Sequence, residues 1–294
     1  MFKFSFKPLL KSILVMFFGF VFTTNAFGTP GVITGNDSFN TAHSIGYWEY
    51  HSSTVAKLEV VEKDQKDSYF SFTVNKGDRV YVRISLGQEY LNSGVNLQIF
   101  NSNRKEVTDV NSTIINPNTN SQFIFDNVNG TSQGETFYIK VNRGSYVGDI
   151  VFSVSINKRI YSNIATFDFT GTASNPGNAN PLNNPNGVDS SVISMNLTNN
   201  TTIPTGAIVK SITTAGNISS GKGALIYKIS SNQNSSIWYQ SSTALDYNIS
   251  VNDKLEVKRI WSFKYNQKST GASNMSKVKA TINYEYDITK NNFK

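Results

Sequence analysis

From residue 277 to 288, apolar and polar side chains alternate without a slip. Val278, Ala280, Ile282, Tyr284, Tyr286 and Ile288 fall on one side, and Lys277, Lys279, Thr281, Asn283, Glu285 and Asp287 on the other. A strand turns successive side chains to opposite faces, whereas a helix returns to the same face roughly every 3.6 residues. The pattern therefore predicts an antiparallel strand with one wet face and excludes a helix there. Shorter versions recur. Residues 69–74 are aromatic and β-branched, the turn Lys76-Gly77-Asp78 follows, and residues 79–85 place Val80, Val82 and Ile84 on one face. Segments 95–99, 136–141 and 150–156 complete the set. Leu255, Val257, Trp261, Phe263 and Tyr265 mark an expected partner for the long strand, with 268–273 as the turn of a long hairpin. Helical periodicity is hard to find. Short alternating strands between Gly, Asn and Asp turns predict an all-β chain of sandwich type.

Residues 1–28 read as a cleaved signal peptide. Lys3, Lys7 and Lys11 precede an apolar run, 13–22, that only Gly19 interrupts, and small or polar residues follow. The run is short of the ~20 apolar residues that span a bilayer as helix. The expected product is secreted, without a transmembrane segment, and released or held to a surface non-covalently. What remains fits two antiparallel β-sandwich domains in tandem: 29–158, a linker at 159–164, and 165–294. The Pro- and Asn-rich stretch 172–187 reads as a long loop inside the second domain, after a first strand at Phe167-Asp168-Phe169. There is no cysteine, so each domain must be stable on its apolar core, and lipid attachment through a cysteine is excluded. The chain carries 27 basic and 20 acidic residues. The leader holds three of the lysines and no acid, leaving 24 − 20 = +4, with the surplus in the second half. That is a mild attraction to anionic surfaces, well below the footprint of a nucleic-acid partner.

Two motifs carry a resemblance. Asn36-Asp37-Ser38-Phe39-Asn40-Thr41-Ala42 is followed about thirty residues later by Asp67-Ser68-Tyr69-Phe70-Ser71-Phe72-Thr73-Val74-Asn75-Lys76-Gly77-Asp78. Thr136-Phe137-Tyr138-Ile139-Lys140-Val141 comes near the end of the same stretch. In this order they resemble the bacterial pre-peptidase C-terminal domain, a small β-sandwich carried as an accessory module on secreted proteases and collagenases. The likeness covers roughly residues 31–157. The Gly-x-Tyr-x-Leu-x-Val strand that usually closes such a domain is here Gly148-Asp149-Ile150-Val151-Phe152-Ser153-Val154. Residues 165–294 carry no comparable resemblance. The resemblance implies an accessory binding role. It also implies Ca²⁺ held between the N-terminal segment and an acidic turn, at positions matching Asn36, Asp37, Asp64 and Asp67. Calcium takes several oxygen ligands, and Lys63 and Lys66 stand among these. In the alternative reading Asp37 caps a turn, and Asp64 and Asp67 are solvated loop charges.

Catalytic signatures are scarce. The histidines are His43 and His51 alone, with no His-Glu-x-x-His spacing, no Gly-x-Ser-x-Gly elbow and no cysteine nucleophile. The expectation is that the chain is not an enzyme. Gly216-Asn217-Ile218-Ser219-Ser220-Gly221-Lys222-Gly223 matches a phosphate-binding loop except at its last position. A strand-like run follows instead of the helix whose N-terminus such a loop needs, so it reads as a turn. Tyr47, Trp48 and Tyr50 crowd one short segment, Tyr90 and Tyr146 fall in loop-like surroundings, and Trp238 and Trp261 read as core. Exposed Tyr and Trp supply large, rigid contact area. The expected function is docking to an extracellular polysaccharide or fibrous protein (collagen, chitin or cell wall) through Tyr47, Trp48 and Tyr50. Two alternatives stand beside it. One is a self-associating surface or matrix protein whose edge strands pair between chains. The other is a secreted virulence or toxin component acting on membranes, for which the sequence offers no long amphipathic insertion segment.

Overall fold

A computed structural model describes residues 31–51, 58–108, 112–115, 122–220, 223–234 and 237–293. The expected signal peptide, 1–28, lies outside them, as do Gly221 and Lys222 of the phosphate-loop-like stretch. The chain divides into two compact units that meet between Asn157 and Lys158. Each is a pair of β-sheets around its own apolar core. The chain is all-β, as the alternation predicts. No helix among the described residues is long and apolar enough to cross a membrane.

The first unit contains β1 (Val32–Ile33), β2 (His43–Tyr47), β3 (Leu58–Val61), β4 (Asp67–Val74), β5 (Arg79–Leu86), β6 (Asn96–Asn101), β7 (Ser112–Ile115), β8 (Gln122–Asn129), β9 (Glu135–Asn142) and β10 (Ile150–Lys158). One sheet has the order β1-β3-β10-β5-β8-β7 and the other β2-β4-β9-β6. β4 with β9, β9 with β6, β5 with β8, β8 with β7 and β10 with β3 are antiparallel. At the margins β1 runs parallel to β3, and β2 parallel to β4. The inward positions follow the period of two: Phe70, Phe72 and Val74 from β4 and Val80, Val82 and Ile84 from β5 are all buried. Fully burying one such side chain is worth about 1.5–3 kcal/mol.

The second unit contains β11 (Ile160–Asp168), β12 (Ala173–Asn175), β13 (Val188–Asp189), β14 (Ile193–Asn196), β15 (Ile208–Ser219), β16 (Leu225–Ser231), β17 (Tyr239–Ser241), β18 (Ile260–Gln267) and β19 (Ser273–Asp287). β19 is the spine of one sheet. β15 lies along one side of it, with β11 and then β12 along the other. In the second sheet β18 pairs with β13 and β14 on one side and β16 on the other, and β17 closes on β16. Val278, Ala280, Ile282 and Tyr284 face inward, as the alternation requires.

Three expectations need correction here. Segment 159–164 is not a linker. From Ile160 it is strand, registered residue by residue against β19 from Ile160↔Asp287 to Asp168↔Lys279. The long hairpin does not form either. β18 and β19 belong to different sheets, so 268–272 carries the chain across the sandwich. Buried side chains hold that corner: Gln267 donates to the Gly271 carbonyl and accepts from Ser273, and the Tyr265 hydroxyl reaches the Ser273 hydroxyl. Leu255 and Val257 are buried but precede β18. Trp261 is fully buried, its indole N–H on the Val257 carbonyl. Trp238 is only half-buried, with the Lys264 ammonium 4.3 Å above its ring.

Candidate functional site

Tyr47, Trp48 and Tyr50 come together at one end of the first sandwich. β2 reaches them through an irregularity: Ser44 is registered on Ser71 but Gly46 on Phe72, so Ile45 is an extra residue. Such a bulge re-aims the side chains that follow it. Gly46 has φ +86°, a region that favours glycine, and the helical turn Trp48–His51 comes next. The Tyr47 and Tyr50 rings meet edge-on at 5.5 Å, and Tyr47 lies 6.0 Å from Trp48. Tyr50 is 62% exposed, while Trp48 packs partly against the core.

One carboxylate holds this cluster. Oδ2 of Asp78 accepts from the Tyr47 hydroxyl (3.0 Å), the Trp48 indole N–H (2.9 Å) and the Asn75 amide (2.7 Å). Partial burial, together with donation to Asp78, raises the Tyr47 phenol above its ordinary range, so it stays a donor. Asp78 ends the turn that takes the chain from β4 in one sheet to β5 in the other. That turn is tied to the β8–β9 connection, since Gly77 N–H donates to Gly130 O and Gly130 N–H to Asp78 O. The approach is so close that a Cβ at Gly130 would run into the Asn75 carbonyl. The sequence marks Lys76-Gly77-Asp78 only as a turn. Nothing in spacing ties Asp78 to Tyr47 and Trp48, which are 31 and 30 residues away.

The β8–β9 connection and the ends of β6 and β9 also frame an open cleft of about 390 Å³, floored by Val128 and Phe137. Asn101, Thr108, Thr131 and Glu135 line it. Burial would raise the Glu135 carboxyl, but hydrogen bonds from the Thr131 amide and hydroxyl and the Ser132 amide outweigh that and lower it. Tyr90, in the short helix Gln88–Asn92, and Tyr146, in the loop between β9 and β10, meet edge-on at 4.8 Å, and both pack against the core.

The four positions matched to a calcium site each have a place of their own in the structure. Asn36 is buried and structural: its amide donates to the Tyr69 carbonyl at 2.7 Å, and its own carbonyl accepts from Tyr69 N–H at 2.6 Å. Phe39 fixes the same segment, its ring about 5 Å from Tyr69 at a tilt and edge-on to Phe100 and Tyr138. Asp37 accepts from the Thr41 hydroxyl, which in turn accepts from the Ser38 amide. Asp64 is exposed in a turn, and Asp67 already faces the Lys140 ammonium (3.6 Å) and the Asn142 amide (2.6 Å). Among the described residues no three His, Cys, Asp or Glu side chains converge.

In the second unit Asp189 bridges Lys228 (2.8 Å) and Lys264 (2.7 Å) and accepts from Asn266 (2.9 Å), beside Trp238. Partial burial would raise this carboxyl, yet the bonds from both lysines and Asn266 bring it down to about 2. The surplus positive charge of the second half is thus partly neutralised on this face.

Fold and site together define a class: all-β proteins of two units, each a pair of sheets, with an aromatic cluster at one end of the first. No family model matches the chain. It is 42% identical over 274 residues to the uncharacterized protein YbdN of Bacillus subtilis (strain 168), covering 92% of this chain and 93% of that one, and it belongs to that protein's family. Among solved structures, a candidate secreted protein from Eubacterium rectale aligns over 85% of this chain and 81% of its own, at 9% identity and a TM-score of 0.33. The major capsid protein P2 of bacteriophage PM2 aligns over 78% and 97%, at 10% identity and a TM-score of 0.21. Both scores are too low for a shared fold to be argued from them.

Proposed function

We propose that this is a non-catalytic secreted protein that docks to an extracellular polysaccharide through Tyr47, Trp48 and Tyr50. The observation that carries the reading is the triple acceptance by Asp78, which fixes the Tyr47 and Trp48 rings while Tyr50 stays 62% exposed. A ring ordered before binding loses little conformational freedom on contact, and flat faces suit the apolar sides of sugar rings. The cleft beside the β8–β9 connection carries amide, hydroxyl and carboxylate groups of the kind that match sugar hydroxyls. Against catalysis stands the placement of the most perturbed carboxyls: Glu59 is buried in the core, and Asp189 is clamped by two lysines. The resemblance to the pre-peptidase C-terminal domain points the same way, toward an accessory binder.

The test is retention on insoluble chitin and peptidoglycan, with collagen alongside, of protein purified from cells expressing the full chain. Tyr50→Ala is the cleaner variant, because Trp48 also packs on the core. Retention on a polysaccharide, weakened about tenfold or more by Tyr50→Ala at an unchanged melting temperature, is the expected result. Retention on collagen alone would transfer the face to a fibrous protein. If wild-type protein binds none of the three, the proposal is wrong.

A further inference from the structure

We infer that β11 is the seam of a two-fold dimer, in which β11 of one copy pairs antiparallel with β11 of a second copy around Ile164. β11 is an edge: β19 lies on one side of it, and among the described residues no strand lies on the other. The backbone direction follows from two bonds to the β19 side, Phe169 N–H to Val278 O (2.8 Å) and Ile288 N–H to Arg159 O (3.0 Å). Odd-numbered residues therefore face β19. The amides and carbonyls of Ile160, Ser162, Ile164, Thr166 and Asp168 point away from it.

Natural edges are blunted by lysine, proline, bulges or shortness. The opposite edge of this sheet has such devices: β15 carries two register shifts and the exposed Lys210. β11 has none of them over residues 160–167, which hold no charge, no proline and no glycine. Ile164 is 62% exposed and Tyr161 38%. A single local device covers the middle of this edge, where the Asn163 side chain accepts the Ile164 N–H at 2.8 Å. That bond is exchangeable for a carbonyl of an incoming strand.

Charge selects a second copy as the partner. At its start the neutral stretch follows Arg159, buried and paired with Asp287, and before that the exposed Lys158. At its end stands Asp168, exposed and 3.5 Å from the likewise exposed Lys279, a solvent-facing pair that an incoming lysine can share. A two-fold axis at Ile164 sets Ile160 opposite Asp168 and Ser162 opposite Thr166. Lys158 of each copy then lies diagonal to Asp168 of the other, at the ~7–8 Å that long side chains bridge. All five outward-facing residues become hydrogen-bonded pairs in this register, and two four-stranded sheets become one continuous sheet.

The experiment is sedimentation of protein from cells expressing the full chain, at about 1–200 µM, a range suited to a small interface. Hydrogen exchange at 160–168 is followed at both ends of that range. A reversible dimer is expected, with slower exchange of those amides at high concentration. Ile164→Lys sets like charges opposite each other on the axis and should weaken the dimer at least about tenfold without moving the melting temperature, since Ile164 is exposed. A wild-type protein that stays monomeric throughout overturns the inference. So does a dimer that Ile164→Lys leaves intact, or one that leaves exchange at 160–168 unchanged.

Discussion

Glu59 should make the first unit less stable as pH rises, and Glu59→Gln should remove that dependence. Glu59 sits in β3, opposite Ile33 of β1 on one side and Phe152 of β10 on the other, and is only 6% exposed. Its Oε2 is buried without a hydrogen-bond partner among the described residues. Burial favours the protonated form, the amides of Glu59 and Val154 offset this only in part, and the carboxyl is pushed up from 4.5 to about 7. The unfolded chain ionises near the ordinary value, so the sign is fixed. Below about pH 4.5 both states hold the proton and nothing is lost; between 4.5 and 7 only the unfolded chain gives its proton up, so stability falls, and the loss is complete once pH has risen through 7 and the folded carboxyl ionises too. The difference of 7 − 4.5, at 1.36 kcal/mol per unit, gives a loss of about 3 kcal/mol by pH 8. A neutral glutamine has the same shape and does not titrate. Its stability relative to wild type should therefore rise by about 3 kcal/mol between pH 4 and pH 8, roughly 6–12 °C in melting temperature for a unit of this size. Denaturant-dependent hydrogen exchange of β10 amides reports on the first unit alone and is the assay of choice. A stability difference between variant and wild type that stays flat across this range would refute the burial argument.

Two further outcomes follow from geometry. Gly130→Ala should drive the Asn75 carbonyl, and with it the Asp78 turn, out of place. A cost of about 1–3 kcal/mol to the first unit is expected, with a loss of polymer retention larger than that of Tyr50→Ala; calorimetry and the retention assay check both. Asp189→Asn should destabilise the second unit at pH 7 by roughly 1–2 kcal/mol, after allowance for solvent screening. Because the folded carboxyl is lowered from 3.8 to about 2, wild type should lose the same amount as pH falls from about 4 to 2. Hydrogen exchange of β18 amides at pH 7 and pH 3 would show it.

Much of the fold was legible because strand alternation is local. Val80, Val82 and Ile84 had to face one way, as did Val278, Ala280, Ile282 and Tyr284, and all are buried. β3 and β8 carry weaker signals. β8 places Asp126 between Ile124 and Val128 on its inward face, fully buried, which breaks the apolar pattern that would have announced it. The aromatic cluster was visible as composition, since Tyr47, Trp48 and Tyr50 are neighbours in sequence. The surroundings of the matched calcium positions were not legible, because a carboxylate's use depends on what stands beside it, and Lys140 and Asn142 reach Asp67 from β9.

The sequence by itself determined which residues form strands and which side of each strand is buried, because those properties repeat every second residue along one chain. Only the tertiary structure decided which strands pair. β18 and β19 have the pattern of a hairpin and lie in opposite sheets, since alternation is the same whether the next strand turns back beside its neighbour or crosses the core. The site was decided at the same level. Asp78 meets Tyr47 and Trp48 through contacts spanning some thirty residues. No local pattern encodes such an encounter; the packing of two sheets brings it about.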